Sequence, residues 1–163
     1  MDIQLVRIDD RLLHGQVATT WAKTTRISRI LVVSDEVAAN PISKALVSQA
    51  APPDIKAHVV TLDKLVEVYF HPMFLNVKVL LLFTKPADVV AVYKRGVYFN
   101  TVNVGGMKFT QGKKMITHFI SVDKKDIAAF QFLDTRGIEL EVRKVPSDRK
   151  QLLMDILKKG NHI

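Results

Sequence analysis

Seven short runs of apolar, largely β-branched residues recur along the chain, at 3–8, 30–33, 57–60, 77–83, 101–104, 119–122 and 138–142, each bounded by polar residues or glycine. Continuous apolar runs of this length suit strands covered on both faces, as in a parallel sheet. The segments between them carry helical spacing instead. Strand and helix in alternation, joined by right-handed crossovers, define an α/β fold built on an open, doubly wound, mostly parallel sheet. Such a sheet places its working loops at the carboxyl ends of its strands, where the strand order reverses.

The helices have readable starts and stops. Asn40 precedes Pro41 as an N-cap before a first-position proline, and Thr61 caps a segment holding Leu62, Leu65, Val66 and Tyr69. Thr84 with Pro86 opens a third, which Gly96 stops. Asp123 and Asp126 put two acids in the first turn of a fourth, closed by Gly137. Ser147 and Asp148 are expected to start the last helix, with Leu152, Leu153, Ile156 and Leu157 on its buried side.

A chain of 163 residues that is 48% hydrophobic buries enough surface for one core, so residues 1–163 read as a single domain without repeat or linker. It contains no cysteine, which excludes disulfide scaffolds, thiol nucleophiles and thiolate metal sites. The charged start of the sequence is not a signal peptide, and no window reaches the roughly 18 apolar residues of a spanning helix. Net charge is +8, which favours acidic partners. The basic residues are dispersed and aromatics are 7%, so the interleaved pattern of RNA binders is weak and nucleic acid is not expected.

Among the post-strand loops, the first is the richest. Asp9, Asp10, Arg11, Leu12, Leu13, His14, Gly15 and Gln16 follow the first run, and Val17, Ala18, Trp21 and Ala22 then begin a helical pattern. His14 thus stands just before a helix N-terminus, where free N–H groups and the helix dipole favour a tetrahedral anion. Arg7 and Arg11 bracket the loop and can add bidentate bonds to phosphate oxygens. Asp9 or Asp10 can accept an imidazole N–H, or orient an arginine, leaving the other ring nitrogen free to attack. The same residues also fit a plain turn beside a structural ion pair.

Gly105 and Gly106 could cradle a phosphate or simply form a tight turn at a strand end, and Thr84 could cap a helix or point into the same crevice. His58, His71, His118 and His162 show no metal-binding spacing, so no metal is expected. A receiver-like, phosphate-responsive regulatory domain is the alternative: Asp9, Asp10, Thr84 and Lys108 imitate its acid pair, threonine and lysine. Its phosphoacceptor aspartate has no counterpart at the end of the third run, and Phe109 follows Lys108 where that family has proline.

The segment Val6-Arg7-Ile8-Asp9-Asp10-Arg11-Leu12-Leu13-His14-Gly15-Gln16-Val17 resembles the phosphorylation loop of the enzyme IIB subunit of the mannose/fructose/sorbose family of the bacterial phosphoenolpyruvate-dependent sugar phosphotransferase system. Residues 30–38, 82–84, 102–107, 121–123 and 137–140 extend the likeness over nearly the whole chain. The resemblance implies a mostly parallel sheet of about seven strands with helices on both faces, matching the count of runs. It implies that His14 takes a phosphoryl group from a IIA phosphohistidine, on Nδ1, and passes it to a sugar held by membrane IIC and IID subunits. Arg7, Asp9 and Arg11 would assist, with Asp10, Leu13, Gly15, Gln16, Thr84, Gly105 and Gly106 around the phosphate. The implied protein needs no cofactor, is cytoplasmic and peripheral to the permease, and uses its basic surface to dock IIA.

Overall fold

The computed structural model describes residues 1–163. In chain order the elements are β1 (Asp2–Asp9), α1 (Gly15–Thr25), β2 (Arg29–Val33), α2 (Asp35–Ala38), α3 (Pro41–Gln49), β3 (Lys56–Val60), α4 (Leu62–Phe70), a 3-10 turn (Pro72–Phe74), β4 (Lys78–Phe83), α5 (Pro86–Lys94), β5 (Thr101–Gly106), β6 (Lys114–Thr117), β7 (Ile120–Val122), α6 (Lys124–Asp134), β8 (Glu139–Val142), β9 (Gln151–Leu152) and α7 (Leu153–Lys159). Seven strands form the main sheet in the order β3-β2-β4-β1-β5-β8-β9. All pair in parallel except β9, which runs antiparallel to β8.

Each face of the sheet is apolar because successive strand residues point to opposite sides. Val6, Ile8, Leu81, Phe83, Val102, Val104, Leu140 and Val142 meet Leu65 of α4, Val89 and Val92 of α5, Phe130 and Leu133 of α6, and Leu153 and Leu157 of α7. On the other face Leu5, Ile30, Val32, Leu80 and Leu82 pack with Trp21 and Ala22 of α1 and Val47 of α3. Each fully buried leucine or valine stabilises the fold by about 1.5–3 kcal/mol relative to exposure. The central position of β1, between β4 and β5, delivers its carboxyl end to the middle of one edge of the molecule.

Asn40 accepts from Ser43 N and Thr61 from Lys64 N, as N-caps. Asp123 and Asp126 form a reciprocal capping box, each side chain accepting from the other's backbone N–H at 2.8 and 3.1 Å. Three expectations fail. Thr84 caps nothing, since Lys85 occupies the N-cap position of α5. Residues 119–122 supply β7, which pairs antiparallel with β6 in a separate hairpin and touches the main sheet through the Met107 backbone. The run is buried as a core strand would be, and burial does not name its partner. Residues 147–148 start no helix: Asp148 Oδ2 accepts from Lys144 N and Val145 N, a turn that folds the chain back as β9, the seventh strand. Leu152 is therefore 41% exposed instead of buried, and α7 begins one residue later.

Candidate functional site

The chain leaves β1 through a turn in which Leu12 N donates to Asp9 O and Asp10 N to Gly106 O. Leu12 adopts a left-handed backbone, φ +63°, and Gly15 another, φ +46°, so His14 is held between two such residues. A left-handed leucine is strained, and the packing of Leu12 and Leu13 against the Trp21 cluster keeps the loop in place. His14 is the N-cap of α1 without spending its side chain on capping, which leaves first-turn N–H groups of the helix open. Gly15 and Gln16 are exposed beside it.

Neither acid meets the imidazole. His14 Nδ1 lies 3.0 Å from the Leu12 carbonyl oxygen, an acceptor, so this nitrogen donates and Nε2 carries the lone pair. The nitrogen favoured by the resemblance is thus the one engaged by the backbone, and phosphorylation there requires the ring to turn away from Leu12.

Asp9, 1% exposed, is enclosed by both arginines. Its carboxylate accepts from Arg7 at 2.8 Å, and from Arg11 Nε and a terminal Arg11 nitrogen at 2.8 Å each, with Arg11 N at 3.2 Å. Burial alone would raise its pKa, but the Arg11 hydrogen bonds and the two guanidinium charges outweigh that and hold the carboxyl below its usual range. Asp9 in turn raises Arg11 above the ordinary arginine value. Asp10 serves a different end: its Oδ2 accepts from Lys108 N at 2.8 Å, tying this loop to the segment after β5, while its Oδ1 is buried without a partner.

The two arginines differ. Arg7 is 3% exposed, and its guanidinium donates to Asn103 Oδ1, Asp9 and the Arg143 carbonyl, so it is not placed to contact phosphate as its position in the sequence suggested. Burial pulls its pKa down, the Asp9 charge opposing. Arg11 keeps 39% of its side chain exposed while anchored to Asp9 and the Gly105 carbonyl. Gly105 and Gly106 are neither a turn nor an open phosphate cradle. They are strand residues whose missing side chains admit the arginines: a Cβ on Gly105 would stand 2.0 Å from Arg7 Cζ, and one on Gly106 2.8 Å from Arg11 Nε. Thr84 is half-buried at the end of β4, and its hydroxyl joins none of these bonds.

Sequence reasoning missed four residues here. Asn103 donates to Glu141 at 3.1 Å, Glu141 accepts from Arg143 at 2.6 and 3.0 Å, and Trp21 lies 5.6 Å from Arg7 Cζ and 5.5 Å from Arg143 Cζ. A signal existed: Val6-Arg7-Ile8, Val102-Asn103-Val104 and Leu140-Glu141-Val142 each place one polar residue between two core residues of a strand. The acid pair of a receiver is not assembled either, because Asp9 is saturated by guanidinium donors and no group of three His, Asp or Glu side chains could hold a metal ion.

The sequence profile described as "PTS system sorbose subfamily IIB component" matches residues 3–163. The chain belongs to this family of sugar phosphotransferase components. It is 55% identical over 159 residues to the mannose-specific EIIAB component of Escherichia coli strain K12, covering 98% of this chain and 49% of that protein. The chain therefore spans about half the length of that relative. It is 44% identical to the sorbose-specific EIIB component of Klebsiella pneumoniae, over 95% of this chain and 94% of the relative. The crystal structure of the IIBSor domain of the sorbose permease from Klebsiella pneumoniae superposes with a TM-score of 0.96 at 43% identity, covering 98% of both chains. No helix is long and apolar enough to cross a membrane.

Proposed function

We propose that His14 carries a phosphoryl group from a IIA phosphohistidine to a sugar of the mannose/fructose/sorbose class bound by membrane IIC and IID subunits, at the cytoplasmic side of the membrane. A neutral ring nitrogen attacks phosphorus, the donor's P–N bond breaks, and its electron pair returns to the donor imidazole. Both partners are imidazoles, so the work lies in positioning and charge stabilisation. Arg11 and the open N–H groups of α1 supply the latter, and Arg7 acts through Asp9.

The observation that carries this reading is a histidine, unspent in capping, at a helix N-terminus in the same loop as an anchored but part-exposed guanidinium. The sequence supports it by containing no cysteine that could take the phosphoryl group instead. The test is incubation with phosphoenolpyruvate, enzyme I, the phosphocarrier protein and IIA. Acid-labile, base-stable phosphate mapped to His14, and lost in His14→Ala, is the expected result; label at His58 or His118, or a fully labelled alanine variant, overturns it. The ¹⁵N shifts of the phosphorylated ring identify the nitrogen.

A further inference from the structure

Arg7, Asn103 and Glu141 face one another on three adjacent strands: the register pairs Arg7 with Asn103 and Asn103 with Glu141. Their chain neighbours all belong to the opposite core face, so these three form a polar ladder across β1, β5 and β8 on the α1 side of the sheet. All three are buried. A ladder of this kind in the middle of a sheet stabilises less than three apolar residues would, which directs attention to what it holds in place.

The ladder joins two charged clusters. At one end Arg11 and Arg7 share Asp9; at the other Arg143 forks onto Glu141. Asn103 connects them, and its orientation is forced: arginine only donates, so Oδ1 faces Arg7, and a carboxylate only accepts, so Nδ2 faces Glu141. Asn103 Nδ2 also donates to the Arg143 carbonyl at 3.2 Å, so if Glu141 loses its charge the amide keeps its sense but is held less firmly, and Arg143, deprived of its carboxylate, no longer fixes that carbonyl. Arg7 then has a looser acceptor, leans harder on Asp9, and Asp9 holds Arg11 less well.

We propose that Asn103 and Glu141 are positioning residues for phosphoryl transfer, acting on Arg11 through Arg7 and Asp9. This rests on the reading that His14 is the phosphoryl carrier. Because neither side chain reaches the loop itself, they govern the transfer step and not the association with IIA.

Transfer from phospho-IIA is measured in rapid-quench experiments on wild type, Glu141→Gln, Asn103→Asp and the double variant. Each single change is expected to slow the first-order transfer about ten- to hundredfold while leaving the half-saturating IIA concentration within about twofold. Asn103→Asp alone sets two carboxylates side by side. With Glu141→Gln added, the aspartate accepts from Arg7 and the glutamine amide donates to it, so net charge returns and part of the rate is recovered, while the Arg143 carbonyl loses the donor it had in Asn103 and the Arg143 fork loses one of its two acceptors. Thermal unfolding followed through Trp21 confirms that each variant is folded at the assay temperature. Wild-type rates in both singles, a change confined to half-saturation, loss of rate in proportion to unfolded protein, or a double variant no better than the singles each overturns the proposal. Failure of wild type to label His14 overturns the carrier reading itself, and the proposal with it, and is seen before any variant is compared.

Discussion

Gly105 shows how a residue with no side chain can define a site. Its absent Cβ is the space Arg7 occupies, so Gly105→Ala must displace a buried guanidinium and is expected to destabilise the fold by about 3 kcal/mol in thermal or urea unfolding. Gly112→Ala provides the contrast, since nothing lies within 4 Å and only its left-handed backbone, φ +90°, is strained. The arginines separate in the same way. Arg11→Ala takes two side-chain hydrogen bonds from buried Asp9, so it should lower stability as well as slow transfer about ten- to hundredfold, the effect of losing a charge-assisted bond, and Arg11→Lys should recover part of the rate because a point charge lacks the guanidinium fork. Arg7→Ala should instead appear first as lost stability, about 3 kcal/mol. That Arg7, Asp9, Arg11 and His14 share one post-strand segment was legible in the sequence because they are nearly contiguous, whereas the burial of Arg7 on Asp9 and Asn103 was not. Asn103 and Glu141 were not, because their meeting depends on β5 lying between β1 and β8, and no local pattern states a strand order.

At the scale of elements, local chemistry was read well at three helix starts and misread at two, where Thr84 and Ser147–Asp148 carry the same kind of signal and cap no helix. Asn40, Thr61 and the Asp123–Asp126 box cap helices by bonds to backbone three residues away, which spacing alone reveals. The hairpin β6–β7 and the return strand β9 were misread because their pairing is set by what they fold back upon. Asp148 is the hinge of that return. Asp148→Ala removes the acceptor of two backbone N–H groups and should cost about 1–2 kcal/mol. Amide exchange should quicken at Leu152 and in the first turn of α7, with β1 and β4 unchanged; unchanged exchange at Leu152 would show that β9 forms independently of that turn.

For the whole molecule, two observables follow from charge. The Asp9 carboxyl has a lowered pKa, so between that value and the ordinary one, about 3.9, the folded chain binds fewer protons than the unfolded chain. Its contribution to stability is complete above the ordinary value and lost as pH falls through the lowered one; Asp9→Asn should flatten the acid limb of the stability curve and lower stability at neutral pH. Burial raises Asp88, which works in the opposite sense: its contribution is full at low pH and lost as pH rises through the raised value, so Asp88→Asn should stabilise the neutral protein. The +8 net charge, if it steers IIA, should make association weaken as salt rises while transfer within the bound complex changes little. Salt-independent IIA binding with salt-sensitive retention on duplex nucleic acid would reassign that surface. Finally, β1 enters the sheet at the end opposite His14 and runs eight residues before reaching it, about 26 Å. A donor domain tethered ahead of β1 must therefore travel the height of the molecule. A flexible linker of roughly 22 residues has the matching root-mean-square span, and one under about 8 cannot bridge it even fully stretched. In a fusion series, transfer within one chain should switch on between those lengths, reach millimolar effective concentration near the upper one, and decline slowly beyond it.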